Sequence, residues 1–441
     1  MSSTAAIEKT PFHLRGNYAP VPSEETFTDL EVDGAIPPGL CGRYLRNGAN
    51  PKDVKTRHWF FGDGMIHGVA LEHGKASWYR NRWVRTRHLA TRRPPTGPDG
   101  SRDLGAGQAN TNIVSHAGRI LALTETTAPW ELTRDLDTVG VHDFDGRLIT
   151  GMTAHPKICP TTGEMHFFDY GWMHPFLTYH CADAQGRLLR SLPIEVAGPT
   201  MIHDFAITAR HVIFMDLPVV FDLERAMRGS MPYRWDDDYG ARVGVMERGG
   251  SAVRWFDVAP CYVFHPMNAF ERDGRIVVDV ARYPEMWRGD AARFDLASLH
   301  RWELDLSSGK VAETALDDRP IEFPRIDDRL CGLPNRYGYA IRNVSSTESP
   351  ANSLLKYDLA SGTSVEHDFG PGRFPGEGAF AADPSSREED AGWVMTYVYD
   401  AARDASDFVI LDAQRFAAPP TAVVHLPVRV PFGFHGNWIA D

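Results

Sequence analysis

Four histidines stand in short segments of similar composition, far apart along the chain. His155 lies in TAHPK, His203 in MIHDF, His265 in VFHPMN and His435 in GFHGNW. Their wide separation excludes a local zinc motif on one helix. Singly, each would be expected to be an ordinary structural histidine. Brought together by the fold, four neutral imidazoles would suit a borderline divalent ion such as Fe²⁺, Zn²⁺ or Cu²⁺.

Three glutamates in apolar segments are candidate partners for such imidazoles. Glu125 lies in LALTETT, Glu322 in PIEFPRI and Glu377 in PGEGAF. A ligating histidine needs its second ring nitrogen held by a carboxylate or carbonyl, and a buried carboxylate needs a partner. Histidine N–H groups would supply that partner. The alternative is that these glutamates are exposed at strand ends.

The elements that would position these side chains are short strands. Runs rich in β-branched and aromatic residues dominate, among them RILALTE, HVIFMDL and RIVVDVARY, and they predict an all-β fold. A weak repeat, in which a polar-bearing run precedes a turn and an apolar strand, recurs in segments beginning at 108, 154, 202, 264 and 375. It favours a β-propeller whose inner strands carry the histidines, with paired β-sandwiches as the alternative. The chain's last strand should then close the ring.

Composition and charge restrict the function further. The 441 residues are 43% hydrophobic and 24% charged, as in ordinary globular proteins, and the net charge of −12 argues against nucleic-acid binding. No basic-then-apolar leader or long apolar window is present, so we expect neither secretion nor a membrane span. The five cysteines are scattered, without CxxC, which predicts no disulfide framework, no cysteine-based zinc site and a cytoplasmic location.

No low-complexity linker divides the sequence, so we expect one domain over 1–441. Residues 1–25 would form an N-terminal arm. Residues 216–240 would form part of a cap above the ring, and FDLERAMRG within them predicts a short helix. The LPVVF segment just before that helix is interpreted as a lid, with weak peripheral membrane contact as the alternative.

Over nearly its whole length the sequence resembles the carotenoid cleavage oxygenase family, whose members include apocarotenoid oxygenases, retinal pigment isomerases and stilbene-cleaving dioxygenases. The resemblance runs in order through GAIPPGLCGRYLRNGANP, HWFFGDGMIHG, NRWVRT and QANTNIV to the four histidine segments. It implies a seven-bladed β-propeller with loops and short helices capping an axial metal site.

The resemblance also implies what the singled-out residues do. One Fe(II) per chain would be bound by His155, His203, His265 and His435, and Glu125, Glu322 and Glu377 would orient three of them. Thr111 matches a threonine whose methyl group crowds one coordination position and leaves another for O₂.

The implied reaction is cleavage of a carbon–carbon double bond by O₂ to two carbonyl products. The substrate would be a small apolar or aromatic alkene, expected to be an apocarotenoid, in an aromatic-lined tunnel. The expected lining residues are Phe60, Phe61, Thr124, Phe264 and Phe323. Family members that cleave hydroxystilbenes resemble one another in a lysine where this chain has Thr124. A stilbenoid or isoeugenol-like phenylpropenoid substrate, an alkene isomerase and a metal-free binding scaffold remain alternatives, and the sequence does not indicate the oligomeric state.

Overall fold

The computed structural model describes residues 10–52, 56–97, 101–289, 295–342 and 352–441. These residues contain two short α-helices, α1 (Arg87–Thr91) and α2 (Leu223–Met227). Short 3-10 turns occur at Phe12–Leu14, Gly16–Tyr18, Trp59–Phe61, Leu104–Ala106 and Asp328–Leu330. No helix in the described ranges is long and apolar enough to cross a membrane.

All remaining regular structure is β-strand. The strands up to residue 221 are β1 (Thr26–Phe27), β2 (Glu31–Gly34), β3 (Gly42–Ala49), β4 (Gly64–Glu72), β5 (Lys75–Trp83), β6 (Asn112–His116), β7 (Arg119–Leu123), β8 (Trp130–Leu132), β9 (Thr138–Val141), β10 (Lys157–Ile158), β11 (Met165–Tyr170), β12 (Leu177–Ala182), β13 (Leu188–Pro193), β14 (Ala206–Ile207), β15 (His211–Asp216) and β16 (Val219–Phe221). Those that follow are β17 (Tyr233–Trp235), β18 (Arg242–Glu247), β19 (Val253–Asp257), β20 (Tyr262–Arg272), β21 (Arg275–Tyr283), β22 (Ser298–Asp305), β23 (Val311–Ala315), β24 (Ile321–Arg325), β25 (Tyr337–Arg342), β26 (Ser353–Asp358), β27 (Thr363–Asp368), β28 (Arg373–Pro375), β29 (Ala379–Ala382), β30 (Gly392–Asp400), β31 (Ala405–Asp412), β32 (Ala422–His425) and β33 (Gly436–Ala440).

These strands form a seven-bladed β-propeller, which confirms the predicted fold. Five blades are local antiparallel sheets in the orders β6-β7-β8-β9, β10-β11-β12-β13, β14-β15-β18-β19, β20-β21-β22-β23 and β24-β25-β26-β27. The other two blades combine strands from both ends of the sequence, in the orders β1-β5-β4-β3-β33 and β2-β32-β31-β30-β28, with β29 also paired to β30.

The ring is closed by two reciprocal strand exchanges. β33 pairs with β3, with Tyr44 opposite Trp438, while β2 pairs with β32, with Val32 opposite Val424. Each end of the sequence is therefore held in the blade built mainly by the other end. This pairing satisfies edge strands that would otherwise be exposed, as the sequence predicts for the C-terminal strand.

Packing between blades explains why many strands read as continuous apolar runs. β15, with the sequence HVIFMD, and β12, with LTYHCA, are buried at every position. A strand with a neighbouring blade on each face has no solvent side, so the alternation of apolar and polar residues disappears. The largest apolar cluster runs across consecutive blades and includes Phe214, Tyr262 and Trp302.

The predicted helix within residues 216–240 is α2, and it begins where its sequence predicts. The Asp222 side chain accepts a hydrogen bond of 2.9 Å from the Arg225 backbone N–H, which caps the helix. α2 lies between β16 and β17, a two-stranded hairpin outside the seven blades. The boundaries proposed for the arm and the cap remain predictions.

Candidate metal centre and cavity

The structure brings the four singled-out histidines together. The nitrogens that His155, His203, His265 and His435 could offer to a metal all lie within 4.8 Å of one another. All four residues are buried, with 5% to 9% of their surface exposed. Nε2 of His155 lies 3.0 Å from Nε2 of His203, and Nε2 of His265 is buried without a hydrogen-bond partner. These nitrogens surround one small volume.

Most of these histidines lie beside inner strands, so the expectation that the strands carry them is wrong in part. His265 is within β20, where Pro266 follows at a break in the pairing register. His155 precedes β10, His203 precedes β14, and His435 is the residue before β33. A loop residue just ahead of a strand can turn its side chain inward without a place in the hydrogen-bonded ladder.

Each of the three glutamates holds one histidine through Nδ1. The Nδ1–H of His265 donates to Glu322 over 2.6 Å, and that of His435 donates to Glu377 over 3.0 Å. Nδ1 of His203 lies against Glu125. These contacts leave the Nε2 atoms facing the centre of the cluster, the arrangement that metal ligation requires.

Among the described residues, no glutamate contacts His155. The nearest carboxylate oxygen to its Nδ1 belongs to Asp204, at 3.8 Å, and this is too long for a hydrogen bond. Asp204 is instead paired with Lys157, whose Nζ lies 2.8 Å away. Three of the four imidazoles are therefore held by a glutamate at Nδ1, and that of His155 is not.

The charges in the cluster follow from burial and from these pairs. Burial and the neighbouring His435 imidazole lower the pKa of His155 well below its ordinary value. Burial also lowers the pKa of His435 to about 4, although Glu377 opposes this shift. Burial opposes protonation of His265 as well, but Glu322 outweighs it and raises the pKa of His265. His155 and His435 are thus neutral at pH 7. At His265, a metal would replace the proton on Nε2, while the Nδ1 proton stays shared with Glu322.

Three residues outside the predicted set hold the glutamates. The Tyr170 hydroxyl donates to Glu125, the Tyr283 hydroxyl donates to Glu322 over 2.7 Å, and Arg325 lies 3.2 Å from Glu377. Each comes from a different place in the sequence than the glutamate it contacts, so no local motif marks it. The nearest signal is the PIEFPRI segment, which contains Arg325.

Thr111 connects the candidate centre with the cavity wall. Its backbone carbonyl accepts a 3.1 Å hydrogen bond from the His435 N–H. Its hydroxyl donates to Asn110 Oδ1 over 2.9 Å and lies 3.5 Å from the Thr124 hydroxyl. Because Asn110 holds the hydroxyl, the methyl group is the part of Thr111 left for contact with a bound group.

A cavity of about 540 Å³ lies over the histidines. His203, His265 and His435 reach it, and so do all five predicted lining residues and Thr111. Its aromatic walls include Phe264, whose ring centroid lies 5.1 Å from that of His203, and Phe323, which stacks on His265 at 5.2 Å. Other aromatic side chains around it are Tyr18, Trp59, Tyr170, Tyr233, Tyr283, Phe432 and Phe434.

Comparison with known proteins adds an independent line of evidence. The family model described as RPE65, retinal pigment epithelial membrane protein, matches residues 18–440. A carotenoid cleavage oxygenase of Mycobacterium tuberculosis is 41% identical, over 99% of each chain. The carotenoid 9,10(9',10')-cleavage dioxygenase 1 of Pisum sativum is 33% identical, over 98% of this chain and 90% of its own.

Solved structures agree with the sequence relatives. The lignostilbene dioxygenase of Pseudomonas brassicacearum superposes with a TM-score of 0.88 at 31% identity, covering 98% of this chain and 99% of its own. This chain belongs to the carotenoid cleavage oxygenase family. Another family structure, cobalt-substituted Synechocystis ACO, has a TM-score of 0.86 at 29% identity, over 96% of this chain and 97% of its own. The resemblance noted in the sequence is confirmed, and with it the class of enzyme, an oxidoreductase of the dioxygenase type.

The donor set of this site fits a divalent transition metal. Imidazole nitrogens bind iron, zinc and copper well, and the buried, unpartnered Nε2 of His265 is costly unless something occupies its lone pair. The carboxylates contact Nδ1 atoms and are not part of the group of candidate ligand atoms. Among the described residues, the candidate direct ligands are therefore four imidazoles.

Proposed function

We propose that this protein is a non-haem Fe(II) oxygenase that cleaves a carbon–carbon double bond with O₂ to give two carbonyl products. His155, His203, His265 and His435 would hold one iron per chain. The observation that carries the proposal is this buried four-histidine cluster at the wall of an aromatic cavity, with carboxylates behind three of its rings. Membership of the family supports iron over zinc or copper.

The iron would supply the activation of O₂, and the protein would control geometry and access. Glu125, Glu322 and Glu377 keep the Nδ1 protons of three histidines in place, so that Nε2 is the donor atom. The methyl group of Thr111 would narrow the approach to one side of the metal. Apolar walls exclude water and keep the alkene near the reacting oxygen.

An apocarotenoid is the substrate class that the cavity supports best. Its volume of about 540 Å³ lies within the roughly 300–1,000 Å³ range of small-molecule pockets, and Phe60, Phe61, Phe264 and Phe323 offer a polyene flat apolar surfaces. Thr124 lies beside Glu125, at the position where hydroxystilbene-cleaving members resemble one another in a lysine. The relative that is 41% identical is named for carotenoid cleavage.

A stilbenoid or phenylpropenoid alkene is the second candidate. One observation favours it: Tyr170, Tyr233 and Tyr283 line the cavity, and phenolic side chains can bind a phenol. However, the Tyr170 and Tyr283 hydroxyls already donate to glutamates. Of these three, Tyr233 contacts the Tyr170 hydroxyl rather than a glutamate, so its hydroxyl is the one we propose for such a substrate.

The segment 216–240 would form part of a cap through which substrate enters. Met231, Pro232 and Tyr233 line the cavity, while Leu223 and Met227 on α2 are exposed. Trp172 is also exposed and stacks on Phe221 at the start of this segment. Such an apolar surface beside a cavity supports weak peripheral contact with a membrane that holds the substrate. The five free cysteines support the predicted cytoplasmic location.

The test is anaerobic loading with Fe(II), followed by incubation under O₂ with apocarotenals, stilbenes and isoeugenol-like compounds and identification of products by mass. We expect about one iron per chain and paired carbonyl products from an apocarotenal. His265→Ala should lose both iron and activity, whereas His300→Ala, on β22, should keep both.

Each of the other possible results of this experiment points to a different function or substrate. Products from stilbenes alone would favour the second substrate class, and a rearranged alkene of unchanged mass would favour an isomerase. A protein that binds no iron would be a scaffold, and full iron and turnover in His265→Ala would overturn the ligand assignment.

A further inference from the structure

A second group of metal-binding side chains lies in the β10–β13 blade, separate from the four histidines. Glu164, His166 and Cys181 place one ligand atom each within 4.8 Å of the other two. We propose that these three residues form a Zn²⁺ site, with a fourth position open to solvent.

Strand geometry brings the three side chains to one face of the blade. His166 on β11 is directly opposite Cys181 on β12, and residues directly opposite in an antiparallel pair point to the same side. Glu164 lies two residues before His166, and alternation along an extended chain places it on that side as well. The site therefore requires the hairpin register, which explains why no CxxC or HxxxH spacing reveals it.

The His166 imidazole has a vacant nitrogen directed into this group. Its Nδ1 lies 2.7 Å from the Tyr179 hydroxyl, while Nε2 is buried without a hydrogen-bond partner. His166 is only 1% exposed. If Nδ1–H donates to the tyrosine oxygen, Nε2 presents its lone pair, and the tyrosine fixes the ring as an outer partner of a ligating histidine does.

The spacing also suits a metal better than a hydrogen bond. Oε2 of Glu164 lies 3.8 Å from Nε2 of His166, which is too long for a hydrogen bond. Nitrogen, oxygen and sulfur ligands of tetrahedral zinc lie about 3.4–3.6 Å from one another, given bond lengths of 2.0–2.3 Å. Closing the remaining gap needs only small side-chain movements. Glu164 retains 32% side-chain exposure and provides a route from solvent.

The charges around the group can balance a divalent cation. One carboxylate and one thiolate neutralise Zn²⁺. Burial raises the pKa of Cys181 to about 11, so the metal-free thiol keeps its proton and binding would release it to water as the Zn–S bond forms. Of the nearby cations, Lys157 is paired with Asp204. Arg248 donates to the sulfur of Cys159 over 3.0 Å, while its Nε and Nη2 are buried without a hydrogen-bond partner among the described residues, and its charge lowers the pKa of Cys181 and so favours the thiolate. Arg190, opposite Cys181 on β13, favours the thiolate.

Co²⁺ is the appropriate probe, because a thiolate bound to Co²⁺ gives an intense near-ultraviolet charge-transfer band. The four-histidine centre contains no thiol and is silent in that band. The test is to titrate Co²⁺ into the iron-loaded protein, with the whole chain present, and to follow both the charge-transfer band and the metal content. The expected result is about one added Co²⁺ per chain, a thiolate band and competition by Zn²⁺.

Two variants and one control decide the assignment. Cys181→Ser should abolish the band, and Glu164→Gln, at a half-exposed position, should weaken Co²⁺ binding roughly tenfold or more. Cys159→Ser, which changes a neighbouring sulfur outside the group, should leave the band intact. Retention of the iron at the four-histidine centre reports that each variant is folded. If Cys181→Ser loses that iron, Glu164→Gln alone tests the proposed site. A silent wild type, a band that persists in Cys181→Ser, or unchanged affinity in Glu164→Gln overturns the site.

Discussion

The guanidinium of Arg325 lies 3.2 Å from Oε2 of Glu377, whereas the His435 ring contacts the other carboxylate oxygen, Oε1. Burial alone would raise the pKa of Glu377, but Arg325 and His435 together lower it to about 2. Arg325 Nη1 also donates to the Gly436 carbonyl over 2.8 Å. One cation thus keeps Glu377 ionised and fixes the backbone that follows His435.

Replacement of Arg325 by methionine should destabilise both the fold and the metal centre. It leaves a buried carboxylate without its cation, a change that costs about 3–5 kcal/mol, and loosening of Glu377 should lower iron affinity roughly tenfold or more. Chemical denaturation and iron titration measure the two effects. Arg228→Met is the matched control, since both side chains of its ion pair with Glu224 are exposed, at 74% and 80%, and the variant should lose no more than about 1 kcal/mol. Equal effects in the two variants would contradict the role of Arg325.

The packing of β33 should determine iron affinity even when His435 is unchanged. Ile439 is buried against the cluster that includes Leu45 and Ile66. We expect Ile439→Asn to lower the free energy of unfolding by about 2–4 kcal/mol through lost apolar contact and a buried amide. Iron affinity should fall with it.

Ala440→Asn introduces the same side chain at the next, exposed residue and should change stability by no more than about 0.5 kcal/mol. If Ile439→Asn unfolds more easily yet binds iron as tightly as the wild type, β33 does not position His435.

At Phe323 we expect glycine to give a more stable protein than alanine, the reverse of the usual order, because of the backbone conformation there. Phe323 has φ of +51°, in the left-handed region that disfavours any side chain, at a cost of about 1–2 kcal/mol. Both Phe323→Ala and Phe323→Gly remove the ring that stacks on His265, but only glycine relieves the strain. We expect the glycine variant to be more stable by about 0.5–1 kcal/mol in urea unfolding. Alanine as the more stable variant would show that this conformation is not strained.

His425 should make stability depend on pH in the neutral range. Burial opposes its charge, but Asp33 and Asp407 together outweigh burial and raise the pKa of His425 above 6.5. A raised folded pKa means that protonation stabilises the fold. The contribution is fully present below about pH 6.5 and is lost as pH rises through the folded pKa.

Because the His425 side chain is partly exposed, at 28%, the effect should be at most about 1 kcal/mol. Melting temperatures of wild type and His425→Gln between pH 5.5 and 8.5 measure it. The variant should be less stable at the acidic end and should converge with the wild type at the basic end. A constant difference across this range would exclude the linkage.

The residue types that could do chemistry were visible in the sequence, but their partners were not. Histidines in recurring segments and glutamates among apolar residues are local features, and a repeat pattern indicates that such positions can meet. The pairing of Glu125 with His203, and the support from Tyr170 and Arg325, depends on contacts between blades. No periodicity of one strand records those contacts. Glu164, His166 and Cys181 lie within one blade, but they meet only through the register of β11 with β12, which no single strand shows either.

The sequence also predicts that Gly433 and Gly436, which lie on either side of Phe434 and His435, let the backbone approach its neighbours closely. A Cβ on Gly433 would lie 2.7 Å from the Arg46 guanidinium carbon, and one on Gly436 would lie 2.5 Å from the Tyr44 hydroxyl. This agrees with the expectation that the backbone approaches its neighbours closely there. Which neighbours it approaches could be learned only from the fold.

The exchange of β2 and β33 between the two composite blades has a kinetic consequence. Contacts such as Tyr44 with Trp438 join positions separated by almost the whole sequence. Contacts between residues so far apart form late, because a very long loop must close first. The local blades can assemble beforehand from their own hairpins. His435 reaches the other three histidines only when that loop closes, so tight metal capture should coincide with the final, slow step of folding.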